Sequence, residues 1–276
     1  MEFLHCGSPQ DLAGYSAAKL RKHFLISGLF PSDQVRLVYS YEDRIITGGC
    51  EPREIPLSIG SGAAIGTPYL LSSREMGVAN IGAEGFVLVD GTSYKLNNRD
   101  VLYIGKGAQT IEFASANPSD PARFYINCVA AQTSYPNRII TQAQAKRVAL
   151  GTQEKSNVRN LAMYIHPEVC PSCYLMLGIT DIAPGSAWNT MPPHLHERRM
   201  EAYLYFDIAP EDRVFHFMGR PDETKHLVVA NNEVVISPSW SVHFGAGTGK
   251  YSFIWGMTGE NQEYTDVTSV PVAHLL

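Results

Sequence analysis

The sequence predicts an all-β protein: two tandem jelly-roll barrels behind a short N-terminal helix. Three observations lead there. Most of the chain consists of short β-rich runs closed by glycine, aspartate or asparagine turns, the pattern of a sandwich or jelly-roll barrel. The second half repeats the first in outline, as a duplicated barrel would. Helical character is confined to small stretches, chiefly one near the start.

Taken in order, Asp11 to Leu25, with Ala17-Ala18-Lys19-Leu20 at its centre, predicts one helix. From Gln34 the pattern turns to strands, Val35 to Tyr41 and Arg44 to Thr47, with Gly48-Gly49 as punctuation. A meander follows. Gly85 to Val89 ends on the Asp90-Gly91 turn signal and leads into Ser93 to Leu96; Asp100 to Gly105 and Phe124 to Val129 are further strands. Thr133 to Arg159 reads as a connector, with a turn at Tyr135-Pro136-Asn137 and a short helix at Gln142 to Arg147. The expected division is a barrel without metal ligands over 1–132, a connector over 133–160 and a metal-binding barrel over 161–276. Glu201 to Phe206 aligns with Glu84 to Val89, and Asn232 to Pro238 with Arg99 to Gly105. In that register His194 and His196 fall on Gly77 and Ala79, and His243 on Thr110, so the first barrel lacks imidazole ligands.

Composition limits the function classes. Hydrophobic residues make up 45% of the 276 and charged residues 18%, ordinary values for a globular chain with an ample core. A net charge of -5, with no basic stripe, offers nothing to nucleic acid or an anionic membrane. No apolar run is long enough to span a bilayer, and Met1 to Gln10 lacks a signal-peptide pattern. The five scattered cysteines form no disulfide framework, and Cys170-Pro171-Ser172-Cys173 has no second pair beside it. A reducing cytoplasm is the expected compartment.

The chemistry concentrates in Pro192-Pro193-His194-Leu195-His196-Glu197-Arg198-Arg199-Met200-Glu201. His194 and His196 point the same way on an extended strand, because strand side chains alternate faces. Glu201 has the wrong parity for that strand, so a bend near Arg198 and Arg199 must return it to the histidine face. Tyr203 and Tyr205 then share its side. His243, in Ser237-Pro238-Ser239-Trp240-Ser241-Val242-His243, is a fourth candidate. Such a set suits a divalent first-row metal: zinc, manganese or iron.

These residues resemble the cupin pattern: His194 and His196, Glu201, then Pro238 to His243. Further stretches resemble one cupin family, the 4-deoxy-L-threo-5-hexosulose-uronate ketol-isomerases. They are Asp43 to Gly49, Tyr103 to Ala108, Trp188 to Pro192, His194 to Tyr203, Val235 to Ser241, Phe253 to Met257 and Gly259 to Gln262. The resemblance implies two cupin-like barrels and one zinc ion per chain held by His194, His196, Glu201 and His243, with manganese or iron still open. It also implies a cytoplasmic aldose–ketose isomerase of a sugar acid in pectin and uronate breakdown. Self-association into a homo-oligomer is expected, without nucleic-acid or membrane partners. For such a reaction Arg198 and Arg199, beside the metal strand, are candidates to bind the substrate carboxylate. Glu260, Tyr203 and Tyr205 are candidates for the general base. The alternatives are a 5-deoxyglucuronate isomerase of inositol breakdown, an iron dioxygenase, or a uronate-binding cupin without turnover.

Overall fold

The computed structural model describes residues 1–276 and divides them into two compact units. The first comprises Met1–Phe3, Gly28–Lys146 and Tyr164–Leu177; the second comprises Leu4–Ser27, Arg147–Met163 and Gly178–Leu276. The protein is mainly β, as expected. No helix is long and apolar enough to cross a membrane.

Two helices stand where one was expected: α1 (Pro9–Leu12) and α2 (Ala17–Phe24). Gly14 weakens the helix between them, and Ser16 starts a new one by accepting the Lys19 amide on its side chain. The Gln142 to Arg147 helix does not form. Thr141 and Gln144 close a turn there, and the chain then extends as the strand Lys146–Leu150.

In the first unit the principal strands are β1 (Val35–Ser40), β2 (Ile46–Cys50), β3 (Arg74–Asn80), β4 (Gly85–Val89), β5 (Thr92–Leu96), β6 (Val101–Ile104), β7 (Ile111–Ser115) and β8 (Phe124–Ala130). One sheet runs β1-β2-β8-β3-β6 with short strands at both ends; the other runs from Leu57–Ser58 through β7 and β4 to β5. Met76, Val78, Val87, Val89, Phe113 and Phe124, drawn from both sheets, pack into one buried cluster, so apolar side chains fill this barrel.

The second unit holds the greater part of β9 (Arg159–Ile165) and β10 (Met176–Ile182), whose residues 164–165 and 176–177 fall in the first, and all of β11 (Trp188–Leu195), β12 (Arg199–Phe206), β13 (Val214–Arg220), β14 (Glu223–Val229), β15 (Glu233–Ser237), β16 (His243–Gly247) and β17 (Ser252–Gly259). Its sheets run β9-β10-β17-β12-β15 and β14-β13-β16-β11, again with short flanking strands. Leu25–Ile26 pairs with β15, so the segment behind α2 closes this unit's edge.

The sheet orders correct the register of the repeat. β12 lies between β17 and β15 as β3 lies between β8 and β6, so β12 matches β3, not β4. Glu201 faces Ser237 across one ladder as Met76 faces Ile104 across the other. The histidine strand β11 holds the place of Leu57–Ser58, and Gly77 and Ala79 are not its counterparts. Every strand of such a barrel shares the same two-residue alternation, so apolar pattern alone slides freely between strands. The match of β15 to β6 holds, and Thr110, just ahead of β7, stands where His243 opens β16.

One buried carboxyl group ties distant parts of the first unit together. Glu75, wholly buried on β3, accepts the Tyr103 hydroxyl (2.7 Å) and the amides of Cys173, Tyr174 and Leu175 (2.8, 2.8 and 2.9 Å). Glu75→Gln turns one acceptor into a donor facing donors. It should cost about 2–3 kcal/mol of stability, seen as a lower urea midpoint at unchanged slope.

Candidate metal centre

The site is assembled by strands from both sheets of the second barrel. β11 pairs with β16, which sets His194 directly opposite His243. The ladder is irregular between Asn189 and His194. Past β11 the chain turns, with the Arg199 amide bonded to the His196 carbonyl (3.1 Å), and enters β12 in the other sheet. The parity problem of Glu201 is thus solved by a change of sheet, which brings the carboxylate toward the histidines from across the barrel.

The side chains converge. Donor nitrogens of His194, His196 and His243 lie within 4.8 Å of one another. A Glu201 carboxylate oxygen sits 3.5 Å from His196 Nε2 and 3.3 Å from His243 Nε2. His194 Nδ1 lies 3.2 Å from the Pro192 carbonyl, which only accepts, so that nitrogen carries the proton and Nε2 keeps its lone pair. His243 Nδ1 faces Ser237 Oγ at 3.4 Å, while its Nε2 is buried without a hydrogen-bond partner. An orphaned imidazole nitrogen beside two more and a carboxylate fits a divalent cation. The donor set, nitrogen with one oxygen, suits zinc, manganese or iron.

Electrostatics give metal capture a definite pH dependence. Burial pushes the Glu201 carboxyl up to about 8, although a Tyr203 hydrogen bond and the Arg199 charge pull it down. Burial and the neighbouring histidine hold His196 down to about 3, and burial also lowers His194 and His243. Near neutrality the imidazoles are already neutral and Glu201 holds the proton a cation must displace. Apparent affinity should therefore rise about tenfold per pH unit up to pH 8 and level off above it. Competition with a chromophoric chelator between pH 6.5 and 9 measures that slope; a slope near two or zero contradicts the proton count.

A cavity of about 300 Å³ opens on the cluster. His194, His196, Glu201 and Tyr203 line it, together with Arg159, Thr190, Phe253, Trp255, Met257 and Tyr264. Gly178 makes the room for Trp255, since a Cβ there would lie 2.1 Å from the indole. Other residues singled out from sequence lie elsewhere. Arg198 is exposed and pairs with Glu260 (3.3 Å), itself exposed. Arg199 is wholly buried and bonds Asn261 Oδ1 and the carbonyls of Glu263 (2.8 Å) and Asp266 (3.1 Å), holding down the segment that carries Tyr264. Tyr205 lies behind the cavity wall, bonded to His216 Nδ1 at 2.7 Å. Neither arginine reaches the cavity, and of the three base candidates only Tyr203 does. Arg159 and Tyr264 carried no local signal: they reach the site from the start of β9 and from the loop after β17.

A cluster of three histidines and a glutamate inside a two-sheet barrel, with a filled barrel beside it in sequence, defines a cupin-type protein with one candidate metal centre per chain. The chain belongs to the KduI/IolB family, whose model matches residues 36–274. It is 48% identical over 275 residues to the 4-deoxy-L-threo-5-hexosulose-uronate ketol-isomerase of Lachnoclostridium phytofermentans, covering 100% of both chains. It is 50% identical over 260 residues to the enzyme of that name from Yersinia pseudotuberculosis, covering 94% of each. Among solved structures it is similar in fold to an IolB-like protein from Salmonella typhimurium (TM-score 0.66, 12% identity, 82% of this chain and 87% of that one). The Bacillus subtilis oxalate decarboxylase, which has Mn(II) centres, is similar over 82% of this chain and 71% of its own (TM-score 0.56, 9% identity).

Proposed function

We propose that the chain is a zinc-dependent ketol-isomerase that converts 4-deoxy-L-threo-5-hexosulose uronate to 3-deoxy-D-glycero-2,5-hexodiulosonate. Its setting is the cytoplasmic breakdown of uronates released from pectin, and it works as a homo-oligomer. The observation that carries this reading is near-half identity to ketol-isomerases over the full chain, with the histidine cluster at the cavity.

In the reaction a hydrogen leaves a hydroxyl-bearing carbon and arrives on the neighbouring aldehyde carbon. His194, His196, His243 and Glu201 would hold the metal, which supplies Lewis acidity to polarise the carbonyl and acidify that carbon. Phe253, Trp255 and Met257 give the cavity an apolar wall that keeps bulk water from the reacting carbons. Tyr203, hydrogen-bonded to Glu201 and kept neutral by burial, holds a proton at its hydroxyl beside the cluster.

The test is elemental analysis of purified protein, then product identification with the hexosulose uronate and with 5-deoxyglucuronate side by side. Stoichiometric zinc and conversion of the first substrate alone are expected. Conversion of only the second reassigns the substrate, and no conversion by metal-loaded protein overturns the isomerase reading.

A further inference from the structure

Arg159 is the one cation lining the cavity, and no carboxylate pairs with it. It is only 8% exposed. Its two terminal nitrogens donate to the carbonyls of Asn157 and Met191, 2.9 Å each. Neutral carbonyls orient a guanidinium without cancelling its charge, and a terminal guanidinium nitrogen has more than one N–H to give. Its field reaches His194, whose basicity it lowers, and its charge interacts with Tyr203 and Tyr264. Glu201 is the only acid at this cavity, and it is directed at the histidines. Trp255, on the same lining, has a buried indole N–H without a partner. A buried, unneutralised cation is costly unless an anion arrives to share the site.

We propose that Arg159 is the substrate-binding residue for the carboxylate of a sugar acid, anchoring that end so that the carbonyl end reaches the histidine cluster. The assignment rests on the isomerase reading for its choice of a sugar acid, but the anion subsite stands on the cavity itself. Arg198 and Arg199 are thereby released from the role: one is spent on Glu260, the other on Asn261, Glu263 and Asp266. The subsite also gives a basis for selection, because a neutral sugar would leave both the guanidinium and its own hydroxymethyl group poorly matched.

The test compares D-glucuronate with D-glucose, which differ in a carboxylate against a hydroxymethyl group. Their binding to metal-loaded protein is measured by calorimetry, so no turnover is needed. Wild-type protein should bind the acid at least about tenfold more tightly. Arg159→Met should bind the two within about twofold, with its metal content unchanged. Arg159→Lys keeps the charge, is the variant to rely on if the methionine one does not fold, and should lose about half the discrimination on a logarithmic scale. A purely structural role for Arg159 would alter stability and leave the acid-to-neutral ratio alone. Wild-type protein that does not prefer the acid, or undiminished preference in either folded variant, overturns the proposal. Failure to isomerise the hexosulose uronate would instead count against the function and leave this ratio to decide Arg159 separately.

Discussion

Protein carrying His243→Ala is expected to contain less than about a tenth of an equivalent of metal and to lose turnover by on the order of 10³. His243 sits directly across the ladder from His194, wholly buried, with Nε2 orphaned beside Glu201. Its removal leaves two imidazoles and a carboxylate, an open set. That carboxylate is also the group that burial pushes up to about 8, so near neutrality a proton competes for the weakened site. The barrel should survive, since β16 keeps its pairings to β11 and β13 and the lost ring borders a cavity. Thr110→Ala, at the matching place ahead of β7, is the control. Its side chain only adds a hydrogen bond to Asp90, and the interior near it is apolar, so metal content and turnover should stay at wild-type levels. Full metal occupancy in folded His243→Ala protein would remove His243 from the ligand set.

Which parts of this site could be read from sequence follows from how far each signal travels along the chain. The spacing of His194 and His196 is local, and strand alternation alone puts both rings on one face. Glu201 showed itself as a parity conflict, and the conflict was real. Its resolution, a turn at His196 to Arg199 into the opposite sheet, needs the sheet order, which no local pattern encodes. The same gap explains the slipped register of the repeat: apolar alternation identifies a strand but not its neighbours. The arginines expected to meet the substrate carboxylate lie off the cavity lining for a related reason. Arg198 and Arg199 are next to the histidine cluster in sequence, yet side-chain direction sends one to solvent and the other into the Asn261 to Asp266 segment. Arg159 stood in a polar stretch read as connector, and only the closed barrel sets it on the cavity. Helices were misjudged where side chains compete for the backbone, at Ser16 and at Thr141 with Gln144.

Tyr203→Phe is expected to lower kcat by about 10² to 10³ at saturating metal, and solvent deuterium should enter the wild-type product. Hydrogen must move between adjacent carbons, either through a side chain or directly as hydride. Of the candidate proton carriers, Glu260 is exposed and paired with Arg198, and Tyr205 is tied to His216 outside the cavity. Tyr203 lines the cavity, its ring centroid 5.5 Å from that of His243, with hydrogen bonds to Glu201 and Thr190. Burial raises its pKa well above the ordinary phenol value, so the hydroxyl stays protonated and would donate to a developing enediolate oxygen and recover that proton in the return step, while a base other than this phenol would carry the carbon-bound proton. The measurement must be made at saturating metal, because loss of this hydroxyl also removes a hydrogen bond that eases Glu201 ionisation. Tyr264→Phe is the comparison: that ring is half-buried on the same lining, and its loss should cost less than about tenfold. In deuterium oxide, a side-chain route open to solvent leaves deuterium in the new hydroxymethyl group, and one partly shielded leaves a fraction of it. Product with no solvent deuterium and full retention of a label carried on the substrate carbon would mean a direct hydride shift. An undiminished kcat in the phenylalanine variant would exclude Tyr203 from the oxygen.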